Sequence, residues 1–440
     1  MRKMRDNARI IFFFSSMLEE ILNVQNIYKS LARVTSNKGA AGIDNMQTDE
    51  LRQYVSTHWQ ELKASITTGS YSPSPVKKVE IPKAGGGKRM LGIPTVTDRL
   101  IQQAISQWLS PKYEGEFSDY SYGFRPNRNA HQAVRQAQKF LNEGKAWVVE
   151  IDLEKFFDKV NHDKLMSLLE RKIDDKRTLR LLRQYLKSGI MEGGTVSPRV
   201  EGTPQGSPLS PLLSNIILNE LDKELQQRGH SFVRYADDCS IYVKSEKAAK
   251  RTEASITQYI EQKLKLKVNK EKTKVSRPMG SMLLGFSFYK SKDQWELRIS
   301  SKSVSRIKAK LKANTQRNNP ANARIKIQKL ETIIRGWVNY FVIAKAKSIM
   351  QQLDEMVRVR LRIGEWKHWK RIKTKIRKLI SLGVNKYKAY EWGNSSKGYC
   401  KIAHSPVLQT TLTDNYWRKL GYTGFNNYYF WKTKYQLKAL

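Results

Sequence analysis

The spacing of apolar residues along the chain changes several times between the period of a helix and that of a strand. Apolar residues three and four positions apart predict helices at 18–33, 98–109, 163–171, 176–187, 208–226 and 246–264. The second of these is expected to begin at Asp98, an acidic residue typical of a helix N-terminus. After Phe286 the chain becomes mainly helical, with periodic apolar residues through 304–311, 325–343 and 350–363.

Strands are predicted in three regions. Residues 75–94 alternate as two short strands around Gly85-Gly86-Gly87, which predicts a hairpin. Residues 232–235 and 240–243 flank Ala236-Asp237-Asp238-Cys239, a pattern that predicts a hairpin with acids at its turn. Trp147 to Leu153 is a third β-rich run, and it brings Asp152 to its end. The predicted chain is thus α+β, with carboxylates at strand ends.

Charge is the extreme property of this composition. The 440 residues include 80 Lys or Arg and 40 Asp or Glu, for a formal charge of +40. Residues 301–440 alone hold 31 Lys or Arg and 6 Asp or Glu, a local charge of +25. A field of that size indicates a polyanionic partner, with nucleic acid the first candidate and an anionic membrane surface the second.

One basic segment, residues 366–378, interleaves cations with tryptophans. Trp366 and Trp369 with Lys370 and Arg371 suit stacking on bases and neutralisation of phosphates. The alternative is a solvated helix face with two aromatic residues in the core. The surrounding positive charge favours contact with RNA or DNA.

The two cysteines, Cys239 and Cys400, lie in no metal-binding or disulfide pattern, which favours a reducing, intracellular setting. The apolar run from Ile10 to Phe14 is too short for a membrane span. It follows Met1-Arg2-Lys3 as in a signal peptide but lacks a cleavage site, so residues 1–17 are interpreted as an N-terminal extension. Met17 is an alternative start, and no membrane partner is expected.

The carboxylates suggest a metal-dependent reaction. Asp152, Asp237 and Asp238 would repel one another if brought together, so a cation is needed to neutralise them. Mg²⁺ suits oxygen ligands and substrate phosphates, and two ions would favour attack of a 3′-hydroxyl on an α-phosphate. Ordinary turn chemistry is the alternative explanation for adjacent aspartates.

Other motifs extend this pattern. They are Ser121-Tyr122-Gly123-Phe124-Arg125-Pro126, the block from Thr203 to Pro211, Tyr235-Ala236-Asp237-Asp238, Leu284-Gly285-Phe286, and the segment from Ile334 to Phe341. In this order they resemble group II intron-encoded reverse transcriptase/maturases of the bacterial type, over roughly residues 18–440. The resemblance implies a right-hand polymerase: fingers and palm over 18–290, a helical thumb/maturase domain over 291–385, and a basic DNA-binding tail over 386–440.

The resemblance also implies roles for individual residues. Asp152, Asp237 and Asp238 would be catalytic and bind two Mg²⁺, with the Leu153 carbonyl as a further ligand and Mn²⁺ as a substitute metal. Nucleotide-binding residues would be Lys83, Arg89, Phe157, Gln205, Gly206 and Lys272. Among them Phe157 matches the steric gate that prefers dNTPs over rNTPs, with a core phenylalanine as the alternative, and Lys272 matches a lysine that protonates pyrophosphate. Lys83 and Arg89 are otherwise ordinary hairpin charges.

Primer and RNA contacts are implied for Leu284 and Gly285, in a primer grip, and for Arg335 in the thumb. Trp337, Tyr340 and Phe341 have the spacing of a buried helix face. The implied partners are group II intron RNA, an RNA template with a DNA primer, dNTPs and target DNA. The implied functions are cDNA synthesis, assistance to RNA splicing, and retrohoming in a bacterial cytoplasm at the nucleoid.

No cysteine set typical of a His-Asn-His endonuclease follows residue 390, so priming from an existing 3′ end is expected. Two alternatives remain open. One is an RNA-binding splicing cofactor without polymerase activity, and the other is a related reverse transcriptase in host defence or diversity generation. The complete set of acids argues against the first, and the Gln205 to Pro211 block argues against diversity generation.

Overall fold

A computed structural model describes residues 16–82, 86–192 and 194–435 of the chain. The chain divides into two compact units, Met1–Ser276 and Arg277–Leu440. The helices of the first unit are α1 Met17–Ile21, α2 Val24–Ser36, α3 Leu51–Thr68, α4 Val96–Glu114, α5 Ala130–Asn142, α6 Phe156–Lys159, α7 His162–Leu169, α8 Lys176–Lys187, α9 Ser210–Gln227 and α10 Glu246–Gln262. Its strands are β1 Val76–Pro82, β2 Lys88–Ile93, β3 Trp147–Ile151, β4 Ile190–Glu192, β5 Thr195–Ser197, β6 Ser231–Tyr235, β7 Asp238–Val243 and β8 Lys274–Ser276.

Two four-stranded sheets organise this unit. The strand order of the first is β2-β1-β4-β5, with β1 and β4 parallel and the other pairs antiparallel. The second, β6-β7-β3-β8, is antiparallel throughout. Helices α5, α9 and α10 pack against this second sheet. Apolar residues of β3, β6 and β7 join those of the helices in one core, so the strand ends that carry acids rest on a rigid base.

The second unit begins with a short 3₁₀ turn at Pro278–Gly280. Its three-stranded sheet, of order β11-β10-β9, is formed by β9 Met282–Leu283, β10 Phe286–Ser291 and β11 Gln294–Ile299. The helices that follow are α11 Ser301–Asn314, α12 Ala323–Phe341, α13 Lys347–His368, α14 Ile372–Ser381, α15 Lys386–Gly393, α16 Tyr399–Ala403, α17 Pro406–Thr411, α18 Asp414–Lys419 and α19 Phe425–Tyr435. The β10–β11 hairpin occupies residues expected to be mainly helical, and this expectation is corrected.

Two predicted helices also differ from the structure, one in where it begins and one in being divided. The 98–109 helix begins at Val96, where the Thr95 side chain accepts a hydrogen bond from the Asp98 amide. Asp98 is instead buried and accepts bonds from Tyr71 and Thr95. The 18–33 helix is two helices, because Asn23 caps the second one with its side chain.

No helix among residues 16–82, 86–192 and 194–435 is both long and apolar enough to cross a membrane. The apolar run Ile10–Phe14 and the predicted nucleotide contact Lys83 lie outside the described residues.

Candidate active site

Strand register brings the three predicted catalytic acids together. β3 and β7 are antiparallel with Ile151 opposite Cys239, so Asp152 and Asp238 lie at the same end of adjacent strands. β6 and β7 pair through Tyr235 and Asp238, which leaves Ala236 and Asp237 as a two-residue loop. The acids predicted at strand ends are therefore at the same edge of one sheet.

A cavity of about 1090 Å³ opens over this edge. Its lining includes eight predicted site residues: Arg89, Asp152, Leu153, Phe157, Gln205, Asp237, Asp238 and Lys272. These residues come from β2, from the segment after β3, from the loop before α9, from the β6–β7 turn and from the loop before β8. One cavity thus collects side chains from separate parts of the first unit.

Mutual repulsion and loss of hydration perturb the acids. Burial raises the pKa of the Asp238 carboxyl to about 6, and the charges of Asp237, Asp152 and Glu150 add to the increase. Burial likewise raises the pKa of Asp237, whereas Arg89 acts to lower it. The ammonium of Lys272 lies 3.6 Å from Oδ1 of Asp152, so a cation already partly compensates this negative charge.

The donor set fits a hard cation, because carboxylate oxygens are the ligands that Mg²⁺ prefers. In the described parts of the chain, no three His, Cys, Asp or Glu side chains form a ready-made metal cluster. A cation held here would therefore need oxygen ligands in addition to these side chains. Mg²⁺ commonly keeps water and substrate phosphate among its ligands, and such a site is consistent with that habit.

The neighbouring residues Phe156 and Phe157 have different environments. Phe156 is buried in the core and Phe157 is half-buried, and both contribute to the cavity lining. Their rings meet edge to face with centroids 5.2 Å apart. The Phe157 carbonyl accepts a hydrogen bond of 2.6 Å from the Thr203 amide, which ties this segment to the loop before α9. Phe156 thus occupies the core position, and the Phe157 ring borders the space above the acids.

The loop that contains Gln205 and Gly206 lies against β2. The Gln205 carbonyl accepts a hydrogen bond of 2.9 Å from the Gly92 amide. Gly206 has φ +116°, and a Cβ on it would lie 3.0 Å from the Gly92 carbonyl oxygen. Only glycine adopts this backbone conformation without strain, so the close approach to β2 depends on residue 206.

Sequence reasoning missed the residues that support the acidic turn. Arg234, fully buried, donates to the Asp222 carboxylate through Nε and Nη2, and its Nη1 donates to the Ala236 carbonyl at 2.9 Å. A Cβ on Gly123 would lie 2.3 Å from the Ala236 nitrogen, so the acidic turn also packs directly on the Gly123 backbone. The available signals were a charged residue inside an apolar strand and an acid on the apolar face of α9.

The second unit contains the other predicted contacts. Leu284 and Gly285, both at positive φ, form the turn between β9 and β10, and the Tyr340 hydroxyl donates to the Leu284 carbonyl. Arg335, Lys370 and Arg371 are exposed. Their positions leave the cationic groups accessible to phosphate.

The predicted role of Trp366 and Trp369 requires correction. Their side chains are only 2% and 4% exposed, and their ring centroids lie 5.8 Å apart in the interior. A buried ring offers no face to a base, so the two residues are core aromatics. The interleaved cations are the outer face of an amphipathic segment.

Comparison with known proteins decides the family. The family model described as reverse transcriptase (RNA-dependent DNA polymerase) matches residues 81–329. The chain belongs to the reverse transcriptase family. The matched range contains the acids, the loops around them and every residue of the cavity lining except Glu80. A second model, the maturase-specific domain of group II introns, matches residues 304–381 of this reverse transcriptase.

The chain is also similar to individual proteins over part of its length. Protein YkfC of Escherichia coli (strain K12) is 35% identical over 313 residues, which are 61% of this chain and 82% of that protein. The group II intron-encoded protein LtrA of Lactococcus lactis subsp. cremoris is 36% identical over 222 residues, which are 50% of this chain but 37% of LtrA. A solved chain from a "Partial Cas6-RT-Cas1--Cas2 complex" covers 56% of this chain and 43% of its own length, with 24% identity and a TM-score of 0.37.

The predicted family and enzyme class, an RNA-directed DNA polymerase with a group II intron maturase domain, are confirmed by these matches. Reverse transcriptases generally use divalent metal ions, and the maturase-specific domain indicates RNA as a partner.

Proposed function

We propose that this reverse transcriptase copies group II intron RNA into cDNA by Mg²⁺-dependent nucleotidyl transfer in the cavity over β3 and β7, and that it also assists splicing of that RNA. The observation that carries the proposal is the convergence of Asp152, Asp237 and Asp238 on one cavity with Arg89 and Phe157. The substrates are dNTPs and an RNA template with a DNA primer.

Asp152, Asp237 and Asp238, with the Leu153 carbonyl, would hold two Mg²⁺, for which Mn²⁺ would substitute. Such ions supply neutralisation of phosphate charge and activation of the 3′-hydroxyl when bound. The raised pKa of Asp238 supports this assignment, since a carboxylate crowded by other acids gains most from a cation.

The cavity walls suggest how a dNTP would be held. Arg89 and Lys272 are cations on the lining, positioned to pair with the triphosphate, and Lys83 is proposed as a further contact. Lys272 is proposed to deliver a proton to the departing pyrophosphate. The ring of Phe157 would occupy the space of a ribose 2′-hydroxyl, while Gln205 and Gly206 would lie against the incoming nucleotide.

For the second unit we propose a primer grip at Leu284 and Gly285 and RNA contacts by Arg335, Lys370 and Arg371. The maturase-domain match over 304–381 and the local charge of +25 over 301–440 support the RNA contacts. We further propose fingers and palm over 18–290, a thumb over 291–385 and a tail over 386–440 that binds target DNA. Retrohoming at the nucleoid follows as the cellular role.

Primer extension tests the catalytic part. The purified chain is given poly(rA)/oligo(dT), dTTP and Mg²⁺, and Asp237→Asn is compared with Glu261→Gln, which alters another carboxylate on the cavity lining. Asp237→Asn is expected to lose at least about a hundredfold in rate, because the substitution removes a charge required in the transition state. The control should retain most activity.

Three results would contradict the assignment. Equal loss in both variants would indicate a general effect of charge in the cavity. Full activity of Asp237→Asn would remove that residue from the catalytic set. A parent that binds structured RNA but does not extend the primer would leave the splicing-cofactor alternative.

A further inference from the structure

Helix α19 is held rigidly by its first residues. The buried Asp354 carboxylate accepts hydrogen bonds from the Phe425 and Asn426 amides, at 2.7 and 2.8 Å, and from the Tyr422 hydroxyl. These amides belong to the first turn of α19, where helical N–H groups lack intrahelical partners. Phe425 itself is buried against Trp337. An acid on α13 therefore fixes the start of α19.

Further along, one face of α19 presents aromatic rings to solvent. Tyr428, Trp431, Lys432 and Tyr435 follow the i, i+3, i+4, i+7 spacing of a single helix face. Trp431 is 45% and Tyr435 58% exposed. A folded protein normally covers rings of this size, so an exposed row of them indicates a ligand surface.

Cations lie over these rings. The guanidinium carbon of Arg335 is 5.7 Å from the Tyr428 ring centroid, and the ammonium of Lys432 is 5.5 Å from the Trp431 centroid. The Tyr428 and Trp431 rings are inclined by only 19° to each other. Because these two rings stack on each other with centroids 5.9 Å apart, the exposed parts of Trp431 and Tyr435 are what remain for nucleobases to stack on, and the cations suit phosphates.

We propose that this face of α19 (Tyr428, Trp431, Lys432 and Tyr435, with Arg335) binds a single-stranded segment of nucleic acid by stacking. The face extends about 10 Å along the helix axis, roughly the length of three stacked bases. Duplex bases are already stacked and offer few free faces, so unpaired nucleotides are the expected ligand. The inference rests on the proposed function only for the partner class, nucleic acid.

Binding of labelled oligonucleotides to the full chain tests the proposal. The probes are oligo(dT) and oligo(rU) of about 20 nucleotides and a DNA duplex of equal length. Trp431→Ala/Tyr435→Ala is compared with Trp431→Phe/Tyr435→Phe, which keeps aromatic faces, and with Tyr28→Ala, which removes an exposed ring from α2 outside the proposed tail. The double alanine variant is expected to bind single strands roughly tenfold more weakly, with the phenylalanine variant and Tyr28→Ala near the parent.

The probes separate the sources of ligand. If the double alanine variant loses affinity for oligo(rU) alone, the face binds RNA, and if it loses affinity for oligo(dT) alone, the face binds DNA. Loss of affinity for both probes means that the face accepts single-stranded RNA and DNA alike. Unchanged affinity in the double alanine variant would overturn the proposal, as would equal loss on the duplex. Vesicles of phosphatidylserine and phosphatidylcholine serve as a fourth probe, and a loss of binding to these vesicles alone would overturn the proposal in favour of a membrane surface.

Primer extension with the same variants distinguishes failure of the stacking face from failure of the proposed polymerase activity. If the parent polymerises while the double alanine variant binds single strands normally, the stacking face is wrong and the proposed function stands. If the parent fails to polymerise while the variant loses single-strand binding, the stacking face stands and the catalytic assignment falls.

Discussion

Arg234 and Asp222 form a two-pronged ion pair with no solvent contact, beneath the turn that carries Asp237 and Asp238. Nε of Arg234 donates to one carboxylate oxygen of Asp222 at 2.7 Å and Nη2 to the other at 2.6 Å. The remaining nitrogen, Nη1, donates to Asn215 and to the Ala236 carbonyl. One guanidinium therefore connects α9 to the backbone of the acidic turn.

Arg234→Met is expected to destabilise the first unit by about 3–5 kcal/mol, because it leaves the Asp222 charge buried and unpaired. Arg234→Met/Asp222→Leu should recover much of that stability, since an apolar pair carries no desolvation penalty. Even so, primer extension by the double variant should remain below that of the parent, since the bond to the Ala236 carbonyl is absent. Urea unfolding and primer extension measure the two effects.

An exposed pair provides the control for this experiment. Arg228 and Glu224 form an ion pair four residues apart at the end of α9. Arg228→Met is expected to change the free energy of unfolding by less than about 1 kcal/mol, because exposed pairs contribute little. A similar cost for Arg228→Met and Arg234→Met would refute the special role of the buried pair.

Phe157→Ala is expected to weaken discrimination against ribonucleotides. The ring borders the cavity beside the acids, and its loss would open space for a 2′-hydroxyl. Single-nucleotide incorporation of dTTP and UTP should show the ratio of kcat/KM shift toward UTP by at least about tenfold. Phe156→Leu, which alters the buried neighbour on the same lining, should reduce stability and shift this ratio much less than Phe157→Ala does. An unchanged ratio in Phe157→Ala would return Phe157 to an ordinary packing role.

The position of the acids was predictable because it depends on local pattern. Short, largely apolar runs predict the strands on both sides of Asp237-Asp238, and a short connection joins them in a hairpin. The run ending at Asp152 is equally clear. Short-range patterns of this kind fix which residues end a strand, and antiparallel pairing then brings such ends together.

Long-range packing could not be predicted in the same way. The approach of Gly123 to Ala236 joins residues more than a hundred positions apart, and the Arg234–Asp222 pair depends on how α9 lies on the sheet. The β10–β11 hairpin did leave a period-two signal in the sequence, since the apolar, buried residues Phe286, Phe288, Leu297 and Ile299 stand at alternate positions of their strands. Its turn lacks glycine, however, and Lys292 adopts a positive φ of 55° there.

The same limit explains why the sequence wrongly predicted that Trp366 and Trp369 stack on bases. A helix with cations between aromatics can expose either set, and the sequence alone does not state which face meets the core. The structure buries the rings, so only Lys370 and Arg371 of that group remain accessible.

Burial of the His162 ring is expected to make the folded chain less stable in mild acid. Its Nε2 lies 2.7 Å from the Gly202 carbonyl oxygen, and burial lowers the pKa of the ring from its usual 6.5. Arg199 and Lys187 lower the pKa further, while the Gly202 bond and Asp163 raise it. The unfolded chain therefore binds the proton more readily, so stability should be full above pH 6.5 and fall as the pH drops below it.

His162→Gln retains a hydrogen-bond donor but cannot titrate. Melting temperatures measured from pH 7.5 to 5.5 should fall less in His162→Gln than in the parent, and the two curves should separate below about pH 6.5. His230→Gln shows whether the other site contributes to the same acid sensitivity, because burial also lowers the pKa of that histidine. Parallel curves for the parent and His162→Gln would show that His162 does not control the acid sensitivity.

Asp354→Ala is expected to loosen α19 and the stacking face that it carries. The substitution removes the common acceptor of the Phe425 and Asn426 amides and of the Tyr422 hydroxyl, all of which are then left without that partner. Loss of a buried cap of this kind should cost about 2–4 kcal/mol in the second unit. Glu355→Ala, at the exposed neighbouring position, should cost less than about 0.5 kcal/mol. Hydrogen exchange at the α19 amides reports the difference locally: fast exchange in Asp354→Ala alone is the expected outcome, and equal protection in both variants would mean that packing of Phe425 on Trp337 is sufficient to hold the helix.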